Sequence, residues 1–175
     1  MSYDLMVFDP NAAPRERDAF LEWYQHSPFE SQTQIFNDPN GCSSELRNWY
    51  MAIVKEFPDY NGDDFDDERI DEVGDLAAGY AIGPSAIYVD FRWTVGGQAY
   101  DAVRRLAVEH GVGFYDVSGD EGDGEIYFPG GELRPPSQGQ WREISGAFQA
   151  GDLSKYVTSP EVPKRRWFDF FWRKS

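Results

Sequence analysis

Apolar positions along the chain follow two periods. Tyr3 to Phe8, YDLMVF, is a nearly continuous apolar run closed by Asp9-Pro10, and predicts a strand. Pro14 stands where a first helical turn tolerates it, and RERDAFLEWYQH then sets Phe20, Leu21, Trp23 and Tyr24 on one side of a helix ending near His26. Between Ser43 and Phe57 the spacing is clearest. Leu46, Trp49, Tyr50, Ile53, Val54 and Phe57 recur at intervals of three and four, the stripe of an amphipathic helix, with a serine to cap it and Pro58 to stop it. AAGYAIG then leads through Gly83-Pro84-Ser85 into AIYVDFRW. There Ile87, Val89, Phe91 and Trp93 alternate with Tyr88, Asp90 and Arg92, the period of a half-buried strand. A helix over Val95 to His110 is capped by Gly111, VGFYDVS predicts a further strand, and EIYF follows a GDEGDG turn as a short last one.

The predicted order is strand, helix, helix, strand, strand, helix, strand, with a hairpin appended. Removing one helix leaves βαββαβ, so the expected class is α+β: a ferredoxin-like antiparallel sheet with an extra helix, all helices on one face. Such a sheet leaves its other face to be covered or used. After Phe128 the character changes. PGGELRPPSQGQ is rich in Pro and Gly, Trp141 to Val157 has room for one short helix, and VPKRRWFDFFWRKS is basic and aromatic. The expected division is a core over 1–129 and a linker with a C-terminal extension over 130–175.

Composition narrows the function classes. Sixteen cations against thirty-one acids in 175 residues give a net charge of −15, a field that repels phosphate backbones and attracts basic proteins. Nucleic acid is therefore not an expected ligand. One cysteine, Cys42, allows no internal disulfide and no cysteine-built metal site. The N-terminal segment has neither a basic n-region nor a long apolar run, and no stretch reaches the ~18 apolar residues of a membrane span. The expected location is the cytoplasm.

The acid is concentrated. Asp59, Asp63, Asp64, Asp66, Asp67, Glu68, Asp71 and Glu72 stand in one segment against a single cation, Arg69, with Tyr60 and Phe65 threaded among them. As a calcium-binding EF-hand loop it fails twice: counted from Asp59, Asp64 stands where glycine is required and Ile70 where the bidentate glutamate is required. Acids interleaved with rings instead suit a docking surface for a basic protein, in which charge steers and rings anchor. A solvated charge run is the plain alternative.

Candidate chemistry elsewhere is thin. His26 and His110 fall at predicted helix C-termini, where a cation suits the helix dipole. Cys42 precedes a helix, a position that can lower a thiol pKa, but no base partner is nominated. DAVRRLAVEHGVG holds no phosphate-cradling glycine loop, since its glycines follow a helix instead of opening one, and no cofactor is expected. Asp90, Asp116, Asp120 and Glu125 are the carboxylates from which a small metal-dependent enzyme or metal-binding protein would be assembled, the alternative to a docking function. The tail, with Trp167, Phe168, Phe170, Phe171 and Trp172 flanked by lysines and arginines, could anchor at a membrane interface. The anionic body disfavours that. The preferred reading has the tail fold back over the open sheet face, with self-association through it as a variant.

MSYDLMVFDP, RDAFLEWYQ, AIYVDFRWTV and AYDAVRRLAVEHGVGFYDVSGDEGDGEIYFP resemble a family of small bacterial proteins similar to the immunity proteins of polymorphic toxins and of type VI or contact-dependent secretion systems. The resemblance covers Met1 to Pro129. It implies an inhibitor that binds a cognate toxin domain and blocks it by direct contact. It brings with it no catalytic or binding residue, because the shared segments are structural.

Overall fold

In the computed structural model, residues 2–26, 38–62, 65, 72–119, 124–132, 146–147 and 150–151 are described. The elements are β1 (Ser2–Phe8), α1 (Arg17–His26), α2 (Ser44–Ile53), β2 (Gly79–Ile82), β3 (Ala86–Arg92), α3 (Gly96–His110), β4 (Gly113–Asp116), β5 (Ile126–Phe128) and β6 (Gly131–Glu132). The strands form one sheet in the order β2-β3-β1-β4-β5-β6, with every neighbouring pair antiparallel. This is an α+β fold. Its first four strands stand in the order of a split βαββαβ unit, to which β5 and β6 add an edge. The sheet runs to Glu132, so the boundary expected at 129 falls inside the β5–β6 hairpin.

Local chemistry explains each helix. Ser43 caps α2 by accepting the Leu46 N–H, and Leu46, Trp49 and Ile53 are wholly buried on its inner stripe. In α3, Ala99, Val103, Leu106 and Ala107 face inward, and Gly111 ends the helix at φ 70°, a left-handed conformation that glycine adopts without strain.

The expectation that all helices share one face is corrected. Tyr3, Leu5 and Val7 of β1 pack with α2 and α3 on one side. Met6 and Phe8, pointing the other way, pack with Phe20 of α1, Tyr115, Ile126 and Phe128. The α1 helix thus covers part of the face expected to be open. Phe20 is its anchor, with ring centroids 5.0 Å from Phe8 and 5.3 Å from Tyr115, edge-on to the latter. The helix left over from the split unit is therefore α1, and it supplies a third layer. The tail expected to lie on this face falls outside the described residues, as does most of the stretch from Trp141 to Val157.

Candidate functional site

The acidic segment leaves the sheet from a closed stem. Ala78, just before β2, donates its N–H to Pro58 O at 3.0 Å and accepts the Tyr60 N–H at 3.0 Å, so Asp59 and Ala78 form a parallel bridge. Opposite this, the turn Gly74–Leu76 is tied to the end of β3: the Thr94 hydroxyl donates to Asp75 at 2.7 Å, and Arg92 pairs with Asp75 at 3.4 Å. Both ends of the excursion are thereby fixed to the edge of the sheet.

Side chains lock the stem further. The Tyr50 hydroxyl donates to Asp59 Oδ2 at 2.9 Å, and the Asn61 N–H donates to Asp59 Oδ1 at 2.8 Å. Burial pushes the Asp59 carboxyl above its ordinary range, although these two donors oppose the shift. Tyr60 keeps 44% of its surface exposed, while its hydroxyl reaches both oxygens of Asp90 at 3.3 Å. Gly79 is the cross-strand partner of Asp90, and a side chain there would collide with the Asp90 carboxylate and the Tyr60 hydroxyl. Only a glycine leaves room for this contact.

Asp90 also faces Asp4, its partner across the β1–β3 ladder. Burial first, then the Asp4 charge, push the Asp90 carboxyl up to about 6, against the pull of the Tyr60 hydrogen bond. Burial and the Asp90 charge push the Tyr60 phenol up to about 12. Tyr88, hydrogen-bonded to Asp4, is raised well above its ordinary value, chiefly by burial.

On the opposite face lies a second polar group. Asp116 and Glu125 are wholly buried. Arg104 Nε donates to Glu125 Oε1 at 2.8 Å, the Tyr100 hydroxyl donates to Glu125 Oε2, and the Tyr3 hydroxyl donates to Asp116 Oδ1 at 3.4 Å. The Arg104 guanidinium also lies 3.8 Å from the centroid of the Tyr127 ring. Burial, followed by Glu125, raises the Tyr100 phenol.

These placements bear on the candidate residues. Strand parity sets Asp90 on the face of Met6 and Asp116 on the face of Leu5, because Asp4 pairs with Asp90 and Leu5 with Asp116. Asp90, Asp116 and Glu125 therefore do not converge on one site, and Asp120 lies outside the described residues. Among the described residues, no three His, Cys, Asp or Glu side chains are grouped to hold a metal ion. Cys42 stands before a helix, a position that can lower a thiol, but here burial raises it, and its Sγ lies 3.1 Å from Pro39 O. His26 and His110 are the last residues of α1 and α3.

Of the predicted docking residues, the structure brings Asp59 and Tyr60 to the stem. Phe65 is half-buried, with its N–H on Gly62 O at 3.0 Å, and Glu72 is exposed. Asp63, Asp64, Asp66, Asp67, Glu68 and Asp71 lie outside the described residues. Sequence reasoning passed over Asp4 and Gly79. The available signal was Asp4 itself, a charge inside an apolar strand with the parity of Met6 and Phe8.

No protein-family model, curated protein or solved structure matches the chain.

Proposed function

We propose that the chain acts by binding another protein, as a cytoplasmic immunity protein that neutralises a cognate toxin domain carrying a basic surface. The observation that carries this reading is the stem. An acid-rich segment is held at both ends against the sheet edge, with the exposed ring of Tyr60 at its base. A segment with fixed ends loses less freedom on docking than a free one. The net charge of −15 would speed encounter with a cationic partner. The acids Asp63, Asp64, Asp66, Asp67, Glu68, Asp71 and Glu72 supply the attraction, and Tyr60 and Phe65 the apolar contact.

Asp59 plays a different part in this reading. Its oxygens already accept from Tyr50 and Asn61, so it shapes the stem.

The test is protection. Where the gene immediately upstream encodes a secreted protein with a toxic C-terminal domain, cells expressing that domain survive when they also make this chain. Survival is lost when Asp63, Asp64, Asp66 and Asp67 are all changed to lysine. Killing that continues with the unaltered chain present overturns the immunity reading, and protection that survives the reversal removes the segment from the mechanism.

A further inference from the structure

We infer that Asp4, Asp90 and Tyr60 form a proton-linked latch that fastens the stem of the acidic segment to the sheet, closing more tightly when the carboxylate pair holds a proton. This concerns how the segment is attached, and it stands whether or not a toxin is the partner.

The geometry supplies the parts. Asp4 and Asp90 are direct cross-strand partners, so their carboxylates share one face of the sheet. The Tyr60 hydroxyl lies over Asp90, 3.3 Å from each oxygen, in the space that Gly79 leaves free. The Tyr60 N–H and the Ala78 N–H close the stem directly beside it. Displacing Tyr60 would break the hydroxyl contact and open Asp90 to water.

The groups facing Asp90 decide the sign. From β1 comes Asp4; from the stem come Asp59 and Tyr60; from β2 comes Gly79, which carries no charge. On its own strand, Tyr88 bonds Asp4 and is influenced by Tyr24 of α1, and Tyr80 of β2 feels Asp90 from the other side of the sheet. Burial, Asp4 and Asp59 all disfavour the ionised form, whereas the Tyr60 hydrogen bond and, less strongly, a hydrogen bond from the backbone of Asp90 favour it. The net balance is toward the proton. Opening the latch hydrates Asp90 and releases that proton more readily, so proton binding and closure favour each other. Rising pH therefore loosens the stem.

Amide hydrogen exchange on the full chain tests this, with rates corrected for intrinsic pH dependence. Between pH 5 and 7.5, protection at the Tyr60 and Ala78 amides should fall about tenfold, the factor for one pKa unit of difference between the closed and open states. Amides of Leu5 and Val89 in the central strands serve as the reference. In Asp90→Asn the fall should vanish. An equal fall in Asp90→Asn overturns the latch. A second measurement holds even if that variant unfolds: the Asp90 carboxyl carbon, followed by NMR, should titrate near pH 6 and move higher in Tyr60→Phe. A midpoint in the ordinary carboxylate range, or one unmoved by Tyr60→Phe, overturns it as well.

Discussion

Asp4 and Asp90 stand opposite one another in the β1–β3 ladder, on the same face as Met6 and Phe8. Two carboxylates side by side across a ladder are unfavourable when both are charged. Burial under Tyr60 adds to that cost, and Asp90 holds its proton to about 6.

The stability consequence follows from linkage. The Asp90 pKa is raised in the folded state above its ordinary 3.8, so folded molecules bind the proton more tightly than unfolded ones. The penalty is absent below the unfolded value, grows as pH rises from about 4 to about 6, and is complete above that. Asp90→Asn keeps an acceptor for Tyr60 and removes the charge. It should stabilise the protein by about 2 kcal/mol at pH 7.5, allowing for solvent screening, and by nearly nothing at pH 3.5. Urea unfolding at the two pH values checks this, and an equal effect at both contradicts it.

Gly79→Ala forces a methyl group into the space shared by Asp90 and the Tyr60 hydroxyl. The stem must shift or the strand must bend, at a cost of about 1–3 kcal/mol. Thermal melting should show the loss, and amide exchange should place it at Tyr60 and Ala78, not in the central strands. Uniform loss of protection would mean that the glycine serves the sheet instead of the stem.

On the opposite face, Arg104 is the cation that meets the buried Glu125. Arg104→Met leaves that carboxylate buried without the cation and should cost about 3–5 kcal/mol. Adding Glu125→Gln should recover much of the loss, because a neutral amide needs no cation. Urea unfolding of the single and double variants measures the difference. A double variant no more stable than Arg104→Met would show that the pair is not coupled.

Phe20→Ala tests the third layer. Phe20 is wholly buried among Phe8, Tyr115 and Phe128, and is the one α1 side chain that is. The substitution should cost about 3–5 kcal/mol, as deletion of a core aromatic does. A cost near that of a surface change would mean that α1 is not integral to the fold.

Much of this architecture was legible in the sequence because it is local. The three- and four-residue spacing from Leu46 to Ile53 yields α2, and Gly111 marks the end of α3 at its left-handed turn. The alternation of Ile87, Val89 and Phe91 marks one buried face of β3. The layer of α1 was misread, although β1 carries the signal. Leu5, Met6, Val7 and Phe8 are all buried, and an unbroken apolar run is what a strand covered on both faces requires. The site was less legible because its contacts are distant in sequence. Nothing in the neighbourhood of Tyr60 tells that it will meet Asp90, thirty residues away in sequence; the register that sets Gly79 opposite Asp90 makes room for the contact. Asp90 and Asp116 look like candidates for one site until the ladder sets them on opposite faces.

The acidic segment as a docking surface is tested most directly by the rate of association with a toxin domain that the chain is found to neutralise, measured by stopped flow across a salt series. Electrostatic steering predicts a rate that falls steeply with added salt, and a fall of at least tenfold when Asp63, Asp64, Asp66 and Asp67 are reversed to lysine. An association rate indifferent to both salt and reversal would contradict it.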